Sequence, residues 1–505
     1  MKLEHYLKKI LTAPVYDVAV RTPLQAAEKL SRRLGNRILL KREDLQPVFS
    51  FKLRGAYNCI YQRSRRESFN QVVTASAGNH AQGVALAADR LGMKALIVMP
   101  ETTPAIKIDA VKAFGAKITL HGDTYDDAYT HAIALAERRS SPFIHPYDDP
   151  DVIAGQGTVA MELMQQQREG IDAVFVPVGG GGLIAGIAAY LRATQSGIRI
   201  IGVEPKDAAS LHAALKTGRR VRLGQVGIFV DGVAVRQIGS EPFRIARQTV
   251  DEVVLVDTDE VCAAIKDIFE DTRSIAEPAG ALAVAGIKRY VATHRPINKT
   301  FAAVVSGANM NFDRLRHVSE RAELGEQREM LLAVQVPEKP GSFRAFCRAL
   351  GRRSITEFNY RYANAGKADI FVGVELGSGW RERSELLASL RRQGYQVTDM
   401  SLNEMAKLHV RYMVGGRGPK LEDEYLLRLE FPERPGALAS FLEHLGQSWN
   451  ISLFHYRNHG AAYGRVLMGV QIPQRERSRL RSLLDKLGYL YTDETENPVY
   501  GLFLH

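Results

Sequence analysis

Lys52 is the residue whose setting first points to chemistry. It stands in Ser50-Phe51-Lys52-Leu53-Arg54-Gly55, where a strand-like run gives way to a helix, with Phe49, Phe51 and Leu53 as apolar neighbours. A lysine ammonium has an ordinary pKa of about 10.4 and attacks carbonyls only where its surroundings favour the neutral amine. Alone, the stretch reads more readily as a solvated lysine at a helix start. Two glycine-bearing turns further on bear on the choice. Ser76-Ala77-Gly78-Asn79-His80-Ala81-Gln82-Gly83 lies between a strand and a helix, where backbone N–H groups at a helix N-terminus form an anion site. Ser76 and Asn79 could also simply cap that helix. Gly179-Gly180-Gly181-Gly182 follows the apolar run 173–178 and lets backbone amides approach a phosphate without side-chain obstruction. It lacks the G-x-G-x-x-G spacing and the Gly-Lys-Ser/Thr of a P-loop, and on its own it could be a flexible turn. His80 and His121 lack the paired spacing of metal ligands and read as structural histidines.

In this order the three motifs resemble those of the fold-type II enzymes that use pyridoxal phosphate (PLP), and within them the threonine dehydratases. The C-terminal region described below narrows the resemblance to the biosynthetic, allosterically regulated form. The resemblance implies that Lys52 carries PLP and, once released, removes the Cα proton, with Phe51 packed beside the cofactor. It implies that the loop Ser76, Ala77, Gly78, Asn79 and His80 takes the substrate carboxylate, Asn79 also reaching the 3'-oxygen of PLP. Val178, Gly179, Gly180, Gly181 and Gly182 take its phosphate, and Ser306, in Val305-Ser306-Gly307-Ala308-Asn309, faces its pyridine nitrogen. A hydroxyl there leaves that nitrogen neutral and makes the cofactor a mild electron sink, which suits elimination. Supporting roles fall to Glu204, Asp231 and Glu277.

The implied reaction takes L-threonine to 2-oxobutanoate and ammonia, opens isoleucine biosynthesis, and gives pyruvate from L-serine less readily. A serine dehydratase or racemase shares the motifs. Racemases of this family carry a second serine in the asparagine-bearing loop, where this chain has Ala77. A sensor that keeps PLP only as structure is a third reading, set against the intact Lys52, Asn79, glycine loop and Ser306.

The elements that must position these residues alternate regularly. Strands are expected at 38–41, 72–75, 95–99, 117–120, 173–178, 199–203, 252–256 and 301–305, with helices at 79–91, 104–114, 125–138, 153–167 and 259–271. This is the pattern of an α/β fold with mostly parallel sheets, and all three motifs fall at strand ends, where such sheets bind ligands. By resemblance this region, 1–316, is a two-lobed catalytic domain with the cofactor between the lobes, the smaller lobe spanning roughly 39–163.

After a charged neck at 317–328 comes an internal repeat. Pro340-Gly341 recurs as Pro435-Gly436, 95 positions on, and Tyr360-Arg361 as Tyr456-Arg457, 96 positions on. Each copy reads as a βαββαβ unit of ferredoxin-like type, at 329–401 and 423–505, joined by a linker at 402–422 that contains Gly415 to Lys420. These α+β units resemble the ACT-like modules of threonine dehydratases, which implies isoleucine and valine as opposing effectors and a homotetramer. Tyr360 and Tyr456, equivalent in the two copies, either contact effectors or pack an internal face.

Composition narrows the rest. A chain of 505 residues exceeds one core. Its 45% hydrophobic and 24% charged residues are those of an ordinary globular protein. The net charge of +11 is dispersed among acidic residues, so neither nucleic acid nor membrane is expected as a partner. Cys59, Cys262 and Cys347 are far apart, without C-x-x-C spacing. With no secretory h-region and no run of 18 apolar residues, the expectation is a reduced, cytoplasmic protein.

Overall fold

The computed structural model describes residues 3–194, 197–326, 328–337, 345–346, 349–351, 353, 355–361, 367–377, 379–412, 423–432, 449–457 and 463–504. The chain divides into two units, Met1–Ala322 and Glu323–His505. The strands of the first unit are β1 (Leu24–Ala26), β2 (Arg37–Arg42), β3 (Gln71–Ala75), β4 (Lys94–Met99), β5 (Lys117–Leu120), β6 (Ala173–Pro177), β7 (Arg199–Pro205), β8 (Glu252–Val256) and β9 (Thr300–Val305). They form a six-stranded sheet of order β1-β2-β9-β6-β7-β8 and a three-stranded sheet of order β3-β4-β5. All pairings are parallel except the short edge pair of β1 with β2.

Helices cover the large sheet on both faces, and its central strand β6 is buried along its whole length. That double burial is why 173–177 reads as continuous Ala, Val, Phe and Pro rather than as alternation. β2 pairs with β9 in the larger sheet, Leu39 opposite Ala302, so the smaller lobe does not begin at residue 39. Strand β2 is followed in sequence by β3 but joins a partner some 260 residues away, which alternation along the chain cannot reveal.

The helix Lys52–Ser64 is seated on a buried group of charges. Arg54, fully buried, donates to Glu43 through Nε at 2.8 Å and to Glu162 through Nη1 at 2.7 Å. Lys41, also fully buried, donates to Glu162 at 2.5 Å and to the Thr22 carbonyl at 2.7 Å. Burial pushes the Glu43 carboxyl up, but Arg54 and Lys41 outweigh it and hold it below the ordinary range. Breaking such a group by removing one member leaves the opposite charge unpaired in the interior. Arg54→Met should therefore destabilise the first unit by about 3–5 kcal/mol, seen as a lower denaturation midpoint by circular dichroism.

In the second unit the strands are β10 (Glu329–Pro337), β11 (Ile355–Arg361), β12 (Lys367–Glu375), β13 (Gln396–Asp399), β14 (Glu424–Pro432), β15 (Asn450–Arg457), β16 (Tyr463–Gln471) and β17 (Leu490–Asp493). They build two antiparallel sheets of matching order, β11-β12-β10-β13 and β15-β16-β14-β17. Taken as four strands each, both orders follow the ferredoxin-like plan. Even the irregularities repeat, since a register shift at Ile355/Glu357 recurs at Ile451/Leu453. Residues of both sheets, among them Leu331, Phe371, Leu426 and Leu467, share one core with Met405, Ala406 and Val499. There Asn403 donates to Asn497, its counterpart in the other copy, at 3.2 Å. The expected Pro-Gly turns at 340–341 and 435–436, Cys347 and the stretch 415–420 lie outside the described residues. Within the expected linker 402–422, the helix Glu404–Leu408 is largely buried.

Candidate functional site

Each of the three motifs falls at the carboxyl end of a strand or of the loop that follows it. The loop entering the Lys52 helix is stitched to the loop after β9. Phe51 N–H donates to the Ser306 carbonyl at 3.2 Å, Ala308 N–H donates to the Phe49 carbonyl at 2.9 Å, and Ser50 bridges Gly307. Phe49 adopts a left-handed φ of 54° at this junction, a conformation that costs a non-glycine residue and concentrates at functional positions. Lys52 and Ser306 are thereby fixed to one another through backbone.

Among the described residues Lys52 Nζ has one hydrogen-bond acceptor, the Pro146 carbonyl at 3.1 Å, and it lies 5.4 Å from the centre of the Phe51 ring. Burial pushes its pKa down to about 8, against an opposing pull from Glu277. A sizeable neutral fraction near neutral pH is the requirement for a nucleophilic or basic amine. Phe51 itself is buried in the core beside β6.

Two groups of free backbone donors accompany this amine. The helix Asn79–Arg90 begins directly after Gly78, and the N–H groups of Asn79, His80 and Ala81 point out of its first turn without an acceptor among the described residues. Ser76 does not cap this helix; its hydroxyl accepts from Gly78 N–H at 3.3 Å. Ala77 packs on the core of the smaller lobe. The N–H groups of Gly179, Gly180, Gly181 and Gly182 likewise have no acceptor among the described residues.

Neighbouring chain requires the glycines themselves. A Cβ on Gly180 would lie 2.2 Å from the Tyr147 ring, and one on Gly179 would lie 2.9 Å from Val233 Cα, while Gly181 has a φ of +89°. Val178, just before them, is buried and bonded through its N–H to Val203. A half-buried amine beside two sets of N–H donors that have no acceptor among the described residues fits a group that carries an aldehyde and a phosphate, with a carboxylate beside it. These residues fit PLP.

His80 has a different place from the rest of its loop. Its ring is buried and Nε2 donates to the Ile144 carbonyl at 3.0 Å, so the neutral ring carries its proton there. Burial, reinforced by Lys52, pushes its pKa down to about 3. The side chain therefore braces the neighbouring segment through Nε2. Ser306 is buried and its hydroxyl donates to the Ala279 carbonyl at 3.2 Å, so it must turn to donate to a ring nitrogen.

The three acidic residues take distinct places. Glu277 accepts from Asn79 Nδ2 at 2.6 Å. Burial, and then Asp231, push its pKa up to about 7. Burial also pushes up the Asp231 carboxyl, but Lys107 at 2.8 Å and Arg314 at 3.2 Å outweigh it and hold it well below the ordinary range. Glu204, fully buried, accepts from Leu211 and His212 N–H at 2.8 Å each and so holds the start of the helix Ser210–Thr217, away from Lys52's partners. Burial raises it to about 7.

Sequence reading passed over two contributors. Asn309 donates to the Val48 carbonyl and to Asn79 Oδ1, both at 2.8 Å. The segment His145 to Asp149 supplies Pro146 and Tyr147, and its end was legible. Asp149 followed by Pro150 is an N-cap before a first-turn proline, and Asp149 indeed accepts from Asp151 N–H at 2.7 Å. Tyr360 and Tyr456 belong to the other unit of the chain. They lie in the second unit on the edge strands β11 and β15, opposite Ile370 and Val466, and their side chains fall outside the described residues.

Comparison with known proteins gives the family. Residues 15–307 match the family described as "Pyridoxal-phosphate dependent enzyme". Residues 320–410 and 415–504 each match the "C-terminal regulatory domain of Threonine dehydratase". The chain is 53% identical to the biosynthetic L-threonine dehydratase of Burkholderia multivorans, covering 100% of both chains. It is 54% identical to that of Escherichia coli, over 99% of this chain and 97% of the other. Among solved structures, the processed form of threonine deaminase isoform 2 from Solanum lycopersicum superposes with a TM-score of 0.62 and 52% identity, over 64% of this chain and 88% of that one. The chain belongs to the biosynthetic threonine dehydratases, PLP-dependent lyases with a C-terminal regulatory region.

Proposed function

We propose that Lys52 is the residue through which this chain holds PLP and moves the substrate's proton, in converting L-threonine to 2-oxobutanoate and ammonia. The observation that carries this is the placement of a half-buried amine, with its pKa lowered, beside two sets of N–H groups that have no acceptor among the described residues. The N–H groups of Gly179 to Gly182 hold the phosphate, and those of Asn79, His80 and Ala81 hold the substrate carboxylate. Bound there, PLP supplies an electron sink for the pair left at Cα when its proton departs. Lys52, neutral, accepts that proton. Ser306 offers the ring nitrogen a hydroxyl, which cannot pair with a protonated ring as a carboxylate would. The β-hydroxyl leaves as water, and hydrolysis returns a water and releases ammonia, so threonine yields one 2-oxobutanoate and one ammonia.

Ala77 presents no hydroxyl to return a proton on the opposite face, which favours dehydration over racemisation. L-serine is the poorer substrate, giving pyruvate. The second unit binds isoleucine, which inhibits, and valine, which opposes it, with Tyr360 and Tyr456 at equivalent contacts. The chain works in the cytoplasm as a homotetramer; no helix among the described residues is long and apolar enough to cross a membrane. The test is direct. Full-length protein with PLP should release 2-oxobutanoate and ammonia in equal amounts from L-threonine, with a higher kcat/KM than for L-serine. Serine turnover with no threonine turnover, or racemisation without oxo acid, would overturn the assignment.

A further inference from the structure

We propose that Asn309 is a positioning residue that fixes which end of the Asn79 side-chain amide faces the cofactor, an inference that rests on Asn79 lying against PLP as proposed above. The direction of three consecutive hydrogen bonds carries it. Val48 O is a backbone carbonyl and can only accept, so the Asn309 atom 2.8 Å away is Nδ2. The same nitrogen lies 2.8 Å from Asn79, and its second hydrogen identifies the atom there as Oδ1. The other end of Asn79 is then Nδ2, which donates to Glu277 Oε1 at 2.6 Å.

An asparagine amide is nearly symmetric in shape, and its orientation is decided by its hydrogen-bond partners. Here a backbone carbonyl that cannot turn over sets the polarity of the whole chain. Asn79 Nδ2 carries two hydrogens and Glu277 takes one, which leaves one N–H for an acceptor oxygen in the site. With the amide reversed, that oxygen would meet a carbonyl instead. Asn309 is well placed for the task, because it follows Ser306 on the loop after β9 and reaches Val48 on the loop that enters the Lys52 helix.

The test is a double-mutant cycle between positions 79 and 309 in the full-length protein. The protein is stripped of PLP, and the PLP dissociation constant is read by equilibrium dialysis. Asn309→Asp replaces the donor by an acceptor of similar shape, and Asn309→Ala removes it without adding charge. Each should weaken PLP binding about tenfold where Asn79 is present, the order of one hydrogen bond, and by less than about twofold in the Asn79→Ala background. If the aspartate variant does not fold, the alanine cycle decides alone. Equal losses in both backgrounds, or no loss in either, would overturn the proposal. Unchanged PLP affinity in Asn79→Ala itself would instead overturn the assignment of Asn79 to the cofactor, and the relay with it.

Discussion

Lys52→Ala should lower oxo acid release from threonine by about 10⁴-fold or more, the upper range of what one positioned proton-transfer group supplies, while leaving the fold intact. Among the described residues the side chain makes one hydrogen bond, to the Pro146 carbonyl, and belongs to none of the ion pairs under its helix, so its removal breaks no salt bridge there. The measurement pairs product assay with far-UV circular dichroism and with retention of PLP through ultrafiltration. Turnover near the parent level would remove Lys52 from the mechanism. Lys52→Arg should be no better, because a guanidinium does not lose its proton. A pH dependence follows from the same environment. Only the neutral amine attacks an aldehyde, and burial favours the neutral form from about pH 8 upward. PLP uptake by the stripped protein should therefore accelerate through about pH 8 rather than near the 10.4 of an exposed lysine.

A chain ending after Gly325 should keep threonine dehydration and lose all response to isoleucine. The intact protein is expected to be inhibited with a coupling of about 1–3 kcal/mol, which corresponds to a 5- to 150-fold change in apparent affinity, and the truncated one by nothing measurable. The cut belongs at the end of the helix Arg314–Gly325 rather than inside it. Val318 and Ala322 are buried in the first unit's core, and Arg321 pairs with Asp259 at 2.5 Å. An earlier stop would remove these contacts and confuse instability with lost regulation. Inhibition of the truncated protein at the intact protein's isoleucine concentrations would place the effector site in the first unit.

What the sequence made legible were local features with their own punctuation. β5 and β8 begin and end where the apolar pattern places them, and the helix Tyr125–Arg138 follows a Thr124 capping box. β1 was missed because three residues at an antiparallel edge make no pattern. Contacts distant in sequence were out of reach. Lys41 and Glu162 are 121 residues apart and Asn79 and Glu277 are 198 apart, and neither pairing leaves a periodic trace. Motifs identified Lys52, the Asn79 loop and the glycine turn as one group, yet the part of Asn309 depends on which atom faces which, a property of the folded chain alone.

The contact between Asn403 and Asn497 has an evolutionary consequence. When a residue touches its own counterpart, the contact sits where a two-fold axis would pass. The regulatory region thus has the form of a dimer whose two subunits were joined head to tail into one polypeptide. Joining fixes their ratio at one to one and frees each half to change without the other. That drift is already visible at a matched pair of positions. Glu329 pairs with Arg411 at 2.8 Å, while its counterpart Glu424 bonds the Tyr500 hydroxyl. Two identical subunits would have to hold identical ligands; a fused pair can assign its two places to different ones.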